Sequence, residues 1–533
     1  MSSSRPRSSG RETLTHAFVK QPHRSLAGQK LAEVASAVAE RPIMALFADD
    51  PQRFAACSLR VGPLLFDFSK THYCAAIRDA GGALWQAAGW RAAADALIGG
   101  GIVNPTEGRP ALHTATRGFR APAVAANGDR IAEDVASADA KMAAVVQNVH
   151  AGDYTAIIHI GIGGSVLGPA VIADALRLGT PGRYDLRFLS NIDGHAFEQA
   201  IAGLDPARTL LIACSKTWTT LEMQTNLAQA LAWKQAAGVA TPFADVVAVT
   251  ARPDLAQAQG VSPERIAHFG AWVGGRYSLW SAVGLPVALH YGLPVFEALR
   301  AGAREMDAHM ADAPPEANAV LISALMGFLY AGVWGRATRA VMPYDQRLNL
   351  LVPFLQQLEL ESDGKRVDHD GDPYTGPAMP VVWGSVGTDA QHAVFQWLHQ
   401  SSDWCPIDFI AVKTPNHGHA TAHQALLANC LAQSSALLRG RADGVDAAQV
   451  SPGDRASTTI LLDRLDAHAL GALLAFYEHR TFAWSVLMGV NCFDQMGVEL
   501  GKLMARDLTG PMAGAPLPAG WDASTAGLIA ALR

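Results

Sequence analysis

The sequence predicts an α/β protein of two doubly wound parallel-sheet lobes, with an N-terminal helical region ahead of them and helices at the C-terminal end. Three observations carry this. Short apolar runs alternate with helix-length segments from residue 154 onward, the first run passes directly into a glycine loop and a helix, and the alternation resumes at residue 339. A chain of 533 residues is too long for one small core. The boundaries expected are a disordered tail over 1–12, a helical region over 13–125 packing on the large lobe, a first lobe over 126–290, a second lobe with the C-terminal helices over 291–512, and a tail over 513–533.

In chain order, Met1-Ser2-Ser3-Ser4-Arg5-Pro6-Arg7 is basic and serine-rich with no apolar core behind it, which reads as a tail and not a secretory signal. Residues 12–99 are alanine-rich with short breaks and read as helices. Two stretches, Leu65-Phe66-Asp67-Phe68-Ser69-Lys70 and Asn104-Pro105-Thr106-Glu107-Gly108-Arg109, concentrate polar groups; Asn104, Glu107 and Arg109 either tie a loop to the core or contact a ligand.

Residues 156–160 form the first strand, followed by Gly161-Ile162-Gly163-Gly164-Ser165 and a helix. Strands over 186–189, 209–214 and 246–250 complete a parallel sheet, whose ligands belong at the strand C-terminal ends. Strands over 339–342, 381–383 and 409–412 make the second. Residues 317–335 carry no charge, yet Asn318, Ser323 and Tyr330 interrupt them and no second segment resembles them, so a buried helix is expected in place of a membrane span. Helices follow over 466–488 and 493–508, and a Gly-, Pro- and Ala-rich end reads as loosely held.

Half the residues are hydrophobic, 17% are charged and the formal net charge is -6. That balance argues against nucleic-acid binding by bulk charge and leaves a small molecule as the expected ligand. Six scattered cysteines have neither metal-ligand spacing nor the density of a disulfide scaffold, which fits a reducing compartment, the cytoplasm.

The glycine loop invites a dinucleotide, but Val166 stands where that motif needs a third glycine. Its backbone N–H groups and the Ser165 hydroxyl still suit a phosphate. The strand ending at Cys214 enters Ser215-Lys216-Thr217-Trp218-Thr219-Thr220; Thr219 with Glu222 fits a capping box, leaving Ser215, Lys216, Thr217 and Thr220 as donors for a phosphate. Arg276 follows Gly274-Gly275 and is either a salt-bridge partner or a fixed charge for an enediolate. Thr388 with Gln391 fits another capping box and sets His392 in the first turns of a helix, as a proton carrier or a structural residue.

The stretch Pro353-Phe354-Leu355-Gln356-Gln357-Leu358-Glu359-Leu360-Glu361-Ser362-Asp363-Gly364-Lys365 delivers a carboxylate at a turn, Glu361 being either a general base or a surface carboxylate on an amphipathic helix. Read as a helix from Leu355, it sets Gln357 and Glu361 on one face and Glu359 on another, with Gly364 as a left-handed stop. Gln495, Glu499 and Lys502 fall on one face of the last helix, whose Gly497 and Gly501 each cost about 1 kcal/mol relative to alanine.

In their order along the chain, Asn104-Pro105-Thr106-Glu107-Gly108-Arg109, the loop at residues 161–165, Ser215-Lys216-Thr217, Gly274-Gly275-Arg276-Tyr277-Ser278-Leu279-Trp280-Ser281, Glu361-Ser362-Asp363-Gly364-Lys365 and the stretch at residues 493–502 resemble the glucose-6-phosphate isomerase (phosphoglucose isomerase) family, over about residues 66 to 502. The resemblance implies two sugar-isomerase (SIS-type) lobes and interconversion of glucose 6-phosphate with fructose 6-phosphate, without metal or organic cofactor. It implies that Glu361 moves a proton between C1 and C2, Arg276 stabilises the cis-enediolate, His392 and Lys502 assist ring opening, and Gln357 and Gln495 position the sugar. Gly164, Ser165, Ser215, Lys216, Thr217 and Thr220 would hold the phosphate. A homodimer is implied, with His392 entering the neighbouring site. Val166, Asp363 and Asp389-Ala390 depart from the family's usual Asp, Asn and Asn-Gly. The alternatives are a dual phosphoglucose/phosphomannose isomerase, though those chains are much shorter, and a non-catalytic sugar-phosphate sensor, which would not need Glu361, Arg276, His392 and Lys502 together.

Overall fold

A computed structural model describes residues 18–443 and 446–533. The tail expected over 1–12 lies outside the described residues. The strands, in chain order, are β1 (Ser58–Val61), β2 (Leu64–Asp67), β3 (Ala156–Ile160), β4 (Asp185–Leu189), β5 (Thr209–Cys214), β6 (Val246–Thr250), β7 (Ile266–His268), β8 (Thr338–Tyr344), β9 (Val381–Trp383), β10 (Ile407–Thr414) and β11 (Ser457–Arg464). β4-β3-β5-β6-β7 form a wholly parallel sheet. Its central strands β3, β5 and β6 are buried at every position, as strands covered by helices on both faces must be.

The second sheet has the order β1-β2-β11-β10-β8-β9. Four of its strands are parallel, and the β1–β2 hairpin adds antiparallel to β11. Residues 12–99 are therefore not all helical. Helices Leu26–Ala39, Ile43–Asp49, Ala75–Ala87 and Trp90–Gly99 form as expected, but Leu64 and Phe66 bury on one face while Leu65 and Asp67 turn outward, the period of a strand. Four residues are too few for that period to stand out in an alanine-rich sequence. β7 and β11 likewise extend the sheets beyond the strands read from the sequence.

Both sheets are wound the same way. The first parallel strand lies inside, the second beside it, and the third across its other edge: β3 between β4 and β5, β8 between β9 and β10. The direction of winding reverses at β3/β5 and at β8/β10, and at such a reversal the loops leaving adjacent strand ends part and open a crevice.

The segment at residues 317–335 contains the buried helix Ala319–Gly332, capped by the Asn318 side chain accepting from the N–H groups of Val320 and Leu321. Among the described residues no helix is long and apolar enough to cross a membrane. The helix Ala467–Met488 runs through the core with every residue but His468 buried. It crosses Leu293–Asp312 at backbone distance, since a Cβ on Gly302 would stand 1.8 Å from His468 O and one on Gly471 1.9 Å from Leu299 O. Its buried charges are paired: Glu478 with Arg117 at 2.8 Å, His479 with Asp307 at 2.6 Å, and Arg480 with Glu359 at 3.2 Å.

Residues 493–533 cluster as a separate compact unit. It holds the helices Glu499–Met512 and Ala523–Leu532. The second lies where composition reads as a loose tail; Asp522 starts it by accepting from the Thr525 N–H at 2.9 Å.

Candidate active site

The crevice at β3/β5 gathers the two phosphate candidates. Ile160 pairs with Ala213, so the loops that leave these strands emerge side by side. After β3, Gly163 takes φ +57 and Gly163–Ser165 makes a 3₁₀ turn into the helix Leu167–Leu176. After β5, Ser215 Oγ accepts from the Trp218 N–H at 3.1 Å and lies 2.9 Å from Thr220 Oγ1. Thr219 does not cap: its hydroxyl donates to Thr217 Oγ1 at 2.9 Å, and the helix Leu221–Ala236 starts one residue later, at an N-cap Thr220 whose side chain makes no capping bond. The expected capping box is absent, and the first N–H groups of that helix keep their capacity for an anion. Lys216, half-buried beside them, donates from Nζ to Val273 O at 3.0 Å. Burial pushes its ammonium down to about 8, helped by Arg109 and Arg276 and opposed by Glu107.

The 3₁₀ segment Gly275–Trp280 lies directly on this glycine loop. A Cβ on Gly164 would sit 2.1 Å from Gly275 O and 2.6 Å from Arg276 N, so only glycine permits the approach. Arg276 is buried, and among its contacts Nε donates to Ser362 Oγ at 2.6 Å, Nη2 donates to Cys492 O at 2.5 Å, and Nη1 lies 3.4 Å from Glu361 Oε1. Tyr277 OH, 3.0 Å from Ser362 Oγ, fixes that serine in turn. Glu361 keeps 22% of its side chain exposed beside an almost fully buried guanidinium, the arrangement of a carboxylate that can still meet a substrate.

The segment that delivers Glu361 differs from an uninterrupted α-helix. Leu351–Leu355 is α, Gln356–Leu360 is a π turn and Glu361–Asp363 resumes α. The wider π turn changes the phase on which the i, i+4 argument rested. Gln357 and Glu361 still reach the same region, Glu361 at Arg276 and Gln357 at the glycine loop, where a Cβ on Gly163 would lie 2.8 Å from Gln357 Nε2. Glu359 turns into the core instead, accepting from Arg339 Nη2 at 2.6 Å. Gly364 ends the helix at φ -75 and not in the left-handed region, by donating from its N–H to Leu360 O at 3.0 Å. Asp363, fully buried, finds no hydrogen-bond partner for either oxygen, and burial raises its carboxyl well above the usual range.

A family model for phosphoglucose isomerase matches residues 67–529. The chain belongs to the phosphoglucose isomerase family. It is 48% identical over 467 residues to a glucose-6-phosphate isomerase of Rhizorhabdus wittichii, covering 87% of this chain and 92% of that one. It is 43% identical over 500 residues to one of Zymomonas mobilis, covering 93% and 96%. A crystal structure of a glucose-6-phosphate isomerase from Chlamydia trachomatis superposes with a TM-score of 0.87 at 28% identity, over 96% of this chain and all of that one.

The loop of Asn104 and Arg109 is both tied and near the site, Arg109 helping to lower the Lys216 ammonium. Asn104 Nδ2 donates to Glu107 Oε2 at 2.7 Å, Asn491 Nδ2 donates to Asn104 Oδ1 at 3.0 Å, and Arg109 Nη1 donates to Ala271 O at 2.9 Å. Asn491, Ser362 and the Cys492 carbonyl escape a reading of the sequence. Ser362 sat inside a motif already singled out, whereas a main-chain carbonyl has no residue signature at all. His392 lies exposed on the short helix Asp389–Ala393, and among the described residues no hydrogen bond or ion pair joins its ring to Glu361 or Arg276. Its expected capping box is also absent: Thr388 stands at φ 57, ψ -50 without a side-chain cap, while Gln391 Nε2 donates to Asn429 Oδ1 at 3.3 Å. In the second unit, Lys502 is exposed and paired with Glu499 at 2.8 Å. Gln495 precedes a 3₁₀ turn at Met496–Val498 and so stands outside the helix that begins at Glu499.

Proposed function

We propose that Glu361 is the base that moves a proton between C1 and C2 of a hexose 6-phosphate, in the interconversion of glucose 6-phosphate and fructose 6-phosphate. The observation that carries this is the contact of Glu361 with Arg276, 3.4 Å apart, next to the loop pair at the β3/β5 crevice. The carboxylate takes the C2 proton of the open-chain aldose as the C1 carbonyl becomes an enediolate oxygen. The proton returns at C1, the O2 proton passes to O1, and C2 becomes the carbonyl. Atoms and electrons balance within the sugar, so no external oxidant or reductant is needed. The Arg276 guanidinium stabilises the enediolate.

The phosphate is assigned to Gly164, Ser165, Ser215, Lys216, Thr217 and Thr220, supported by the open helix N-terminus and the half-buried ammonium. Being remote from the reacting carbons, it lets binding energy orient them. Gln357 and Gln495 are assigned to positioning, and the proton transfers of ring opening to His392 and Lys502, on the family motif. An exposed His392 is available to a second copy of the chain, so a homodimer in which it serves the neighbouring site is part of the proposal. Six free cysteines fit a cytoplasmic setting.

The test is conversion of fructose 6-phosphate to glucose 6-phosphate, read through a coupled dehydrogenase with EDTA present, in wild type and Glu361→Gln. The variant should lose about 10²–10⁴-fold in kcat while still binding fructose 6-phosphate. Equal turnover in the two would remove Glu361 from the mechanism, and binding without wild-type turnover would point to a sugar-phosphate sensor.

A further inference from the structure

A cleft of about 370 Å³ opens at the N-terminal edge of the second sheet. Trp334 and Arg336, ahead of β8, line it with Trp404 ahead of β10, Arg455 ahead of β11 and His72 just beyond β2. Doubly wound sheets receive their substrates at the opposite, C-terminal edge. The cleft shares no lining residue with Glu361, Arg276 or the two phosphate loops, and its volume falls within the range of about 300–1,000 Å³ usual for small-molecule sites.

Its chemistry is cationic and aromatic. The guanidinium carbon of Arg336 stands 4.3 Å from the Trp404 ring centroid and that of Arg455 5.6 Å, so one indole serves two cations. Trp334 extends the aromatic wall, 4.9 Å from the His72 ring. The nearby carboxylates leave this charge incompletely matched. Asp403 is largely exposed and 3.7 Å from Arg336, and Asp454 Oδ1 accepts from the Ile43 N–H at 2.7 Å. Among the described residues, Arg336 Nε, Arg455 Nε, Trp334 Nε1 and His72 Nε2 are buried without a hydrogen-bond partner. His72 is 4% exposed and Arg455 6%. Tyr330 Oη lies 3.1 Å from His72 Nδ1, and a hydroxyl donating there leaves Nε2 as the N–H. The one carboxylate in the lining is Asp454, and Arg455 spends Nη2 on Ser401 O at 2.6 Å, so two guanidinium groups face a single lining carboxylate.

We propose that this cleft is a second small-molecule site, taking an organic anion, phosphate or carboxylate, with Arg336 and Arg455 on its charged group and Trp334 and Trp404 against its apolar part. Such an anion adds charge-assisted hydrogen bonds to the guanidinium groups, and the indoles give it more than inorganic phosphate could use.

Isothermal titration of the full chain with AMP, citrate and inorganic phosphate tests this. AMP or citrate should bind saturably, and which of them binds separates phosphate from carboxylate recognition. Arg336→Glu should weaken that binding about tenfold or more while fructose 6-phosphate turnover is retained, and Lys216→Ala should leave it unchanged. Arg336→Gln is read the same way should the charge reversal not fold. The proposal fails if neither organic anion gives saturable heat, if the Arg336 variants bind as wild type does, or if Lys216→Ala abolishes binding, which would move the anion to the phosphate loops. Inorganic phosphate binding as tightly as the organic anions would mean an adventitious ion only.

Discussion

If Lys216 holds the phosphate as proposed, this half-buried ammonium couples affinity to pH. Burial has brought it down to about 8, so the unliganded protein loses this charge as pH rises through that value, and the attraction for a phosphate dianion goes with it. The KM for fructose 6-phosphate should therefore climb between about pH 7.5 and 9.5 in wild type. Lys216→Ala should have a high KM throughout and lack that limb, with kcat little altered; a wild-type KM flat across the range would separate Lys216 from the phosphate. Stability moves the other way. Between about 8 and the ordinary lysine value of 10.5 the unfolded chain holds more protons, so the cost of burying this ammonium, fully present below pH 8, is relieved as pH rises through that window.

At the scale of elements, the site depends on two irregularities that bring the 3₁₀ segment Gly275–Trp280 and the π turn Gln356–Leu360 onto one glycine loop. Gly164→Ala would place a methyl group 2.1 Å from Gly275 O, and the displaced partner is the main chain that positions Arg276. The expected outcome is a loss of about 1–3 kcal/mol in denaturant stability together with a fall in kcat larger than any rise in KM. Unchanged kcat would show that Arg276 is set independently of the glycine loop. The same elements mark where sequence reading stopped. The parallel strands β3, β5 and β6 announce themselves as short, mostly apolar runs, whereas both capping boxes had the right residues at the right spacing and neither formed. Thr219 found Thr217 first, and Thr388 stands in a backbone conformation that a capping residue does not use.

For the whole molecule, the buried helix Ala467–Met488 binds distant parts of the chain, pairing Glu478 with Arg117 and Arg480 with Glu359, two residues before Glu361. The homodimer is tested at this scale. If His392 serves the neighbouring site, mixing separately inactive Glu361→Gln and His392→Ala chains and allowing subunits to exchange should restore turnover, because one site of each hybrid dimer then has both groups intact. No recovery on demonstrated exchange would place His392 in its own chain's site or outside the mechanism.

The sequence by itself determined the parallel strands other than β7 and β11, the helices around them and the glycine and Ser-Lys-Thr loops, because apolar period and local residue chemistry act over a few neighbours. Only the tertiary structure decided that the β1–β2 hairpin completes the second sheet and that a π turn precedes Glu361. The same holds for Arg276, fixed by Ser362 and by the carbonyl of Cys492. The hairpin and Arg276 depend on partners far along the chain, and a main-chain carbonyl or a four-residue strand leaves no residue pattern from which those partners could be read.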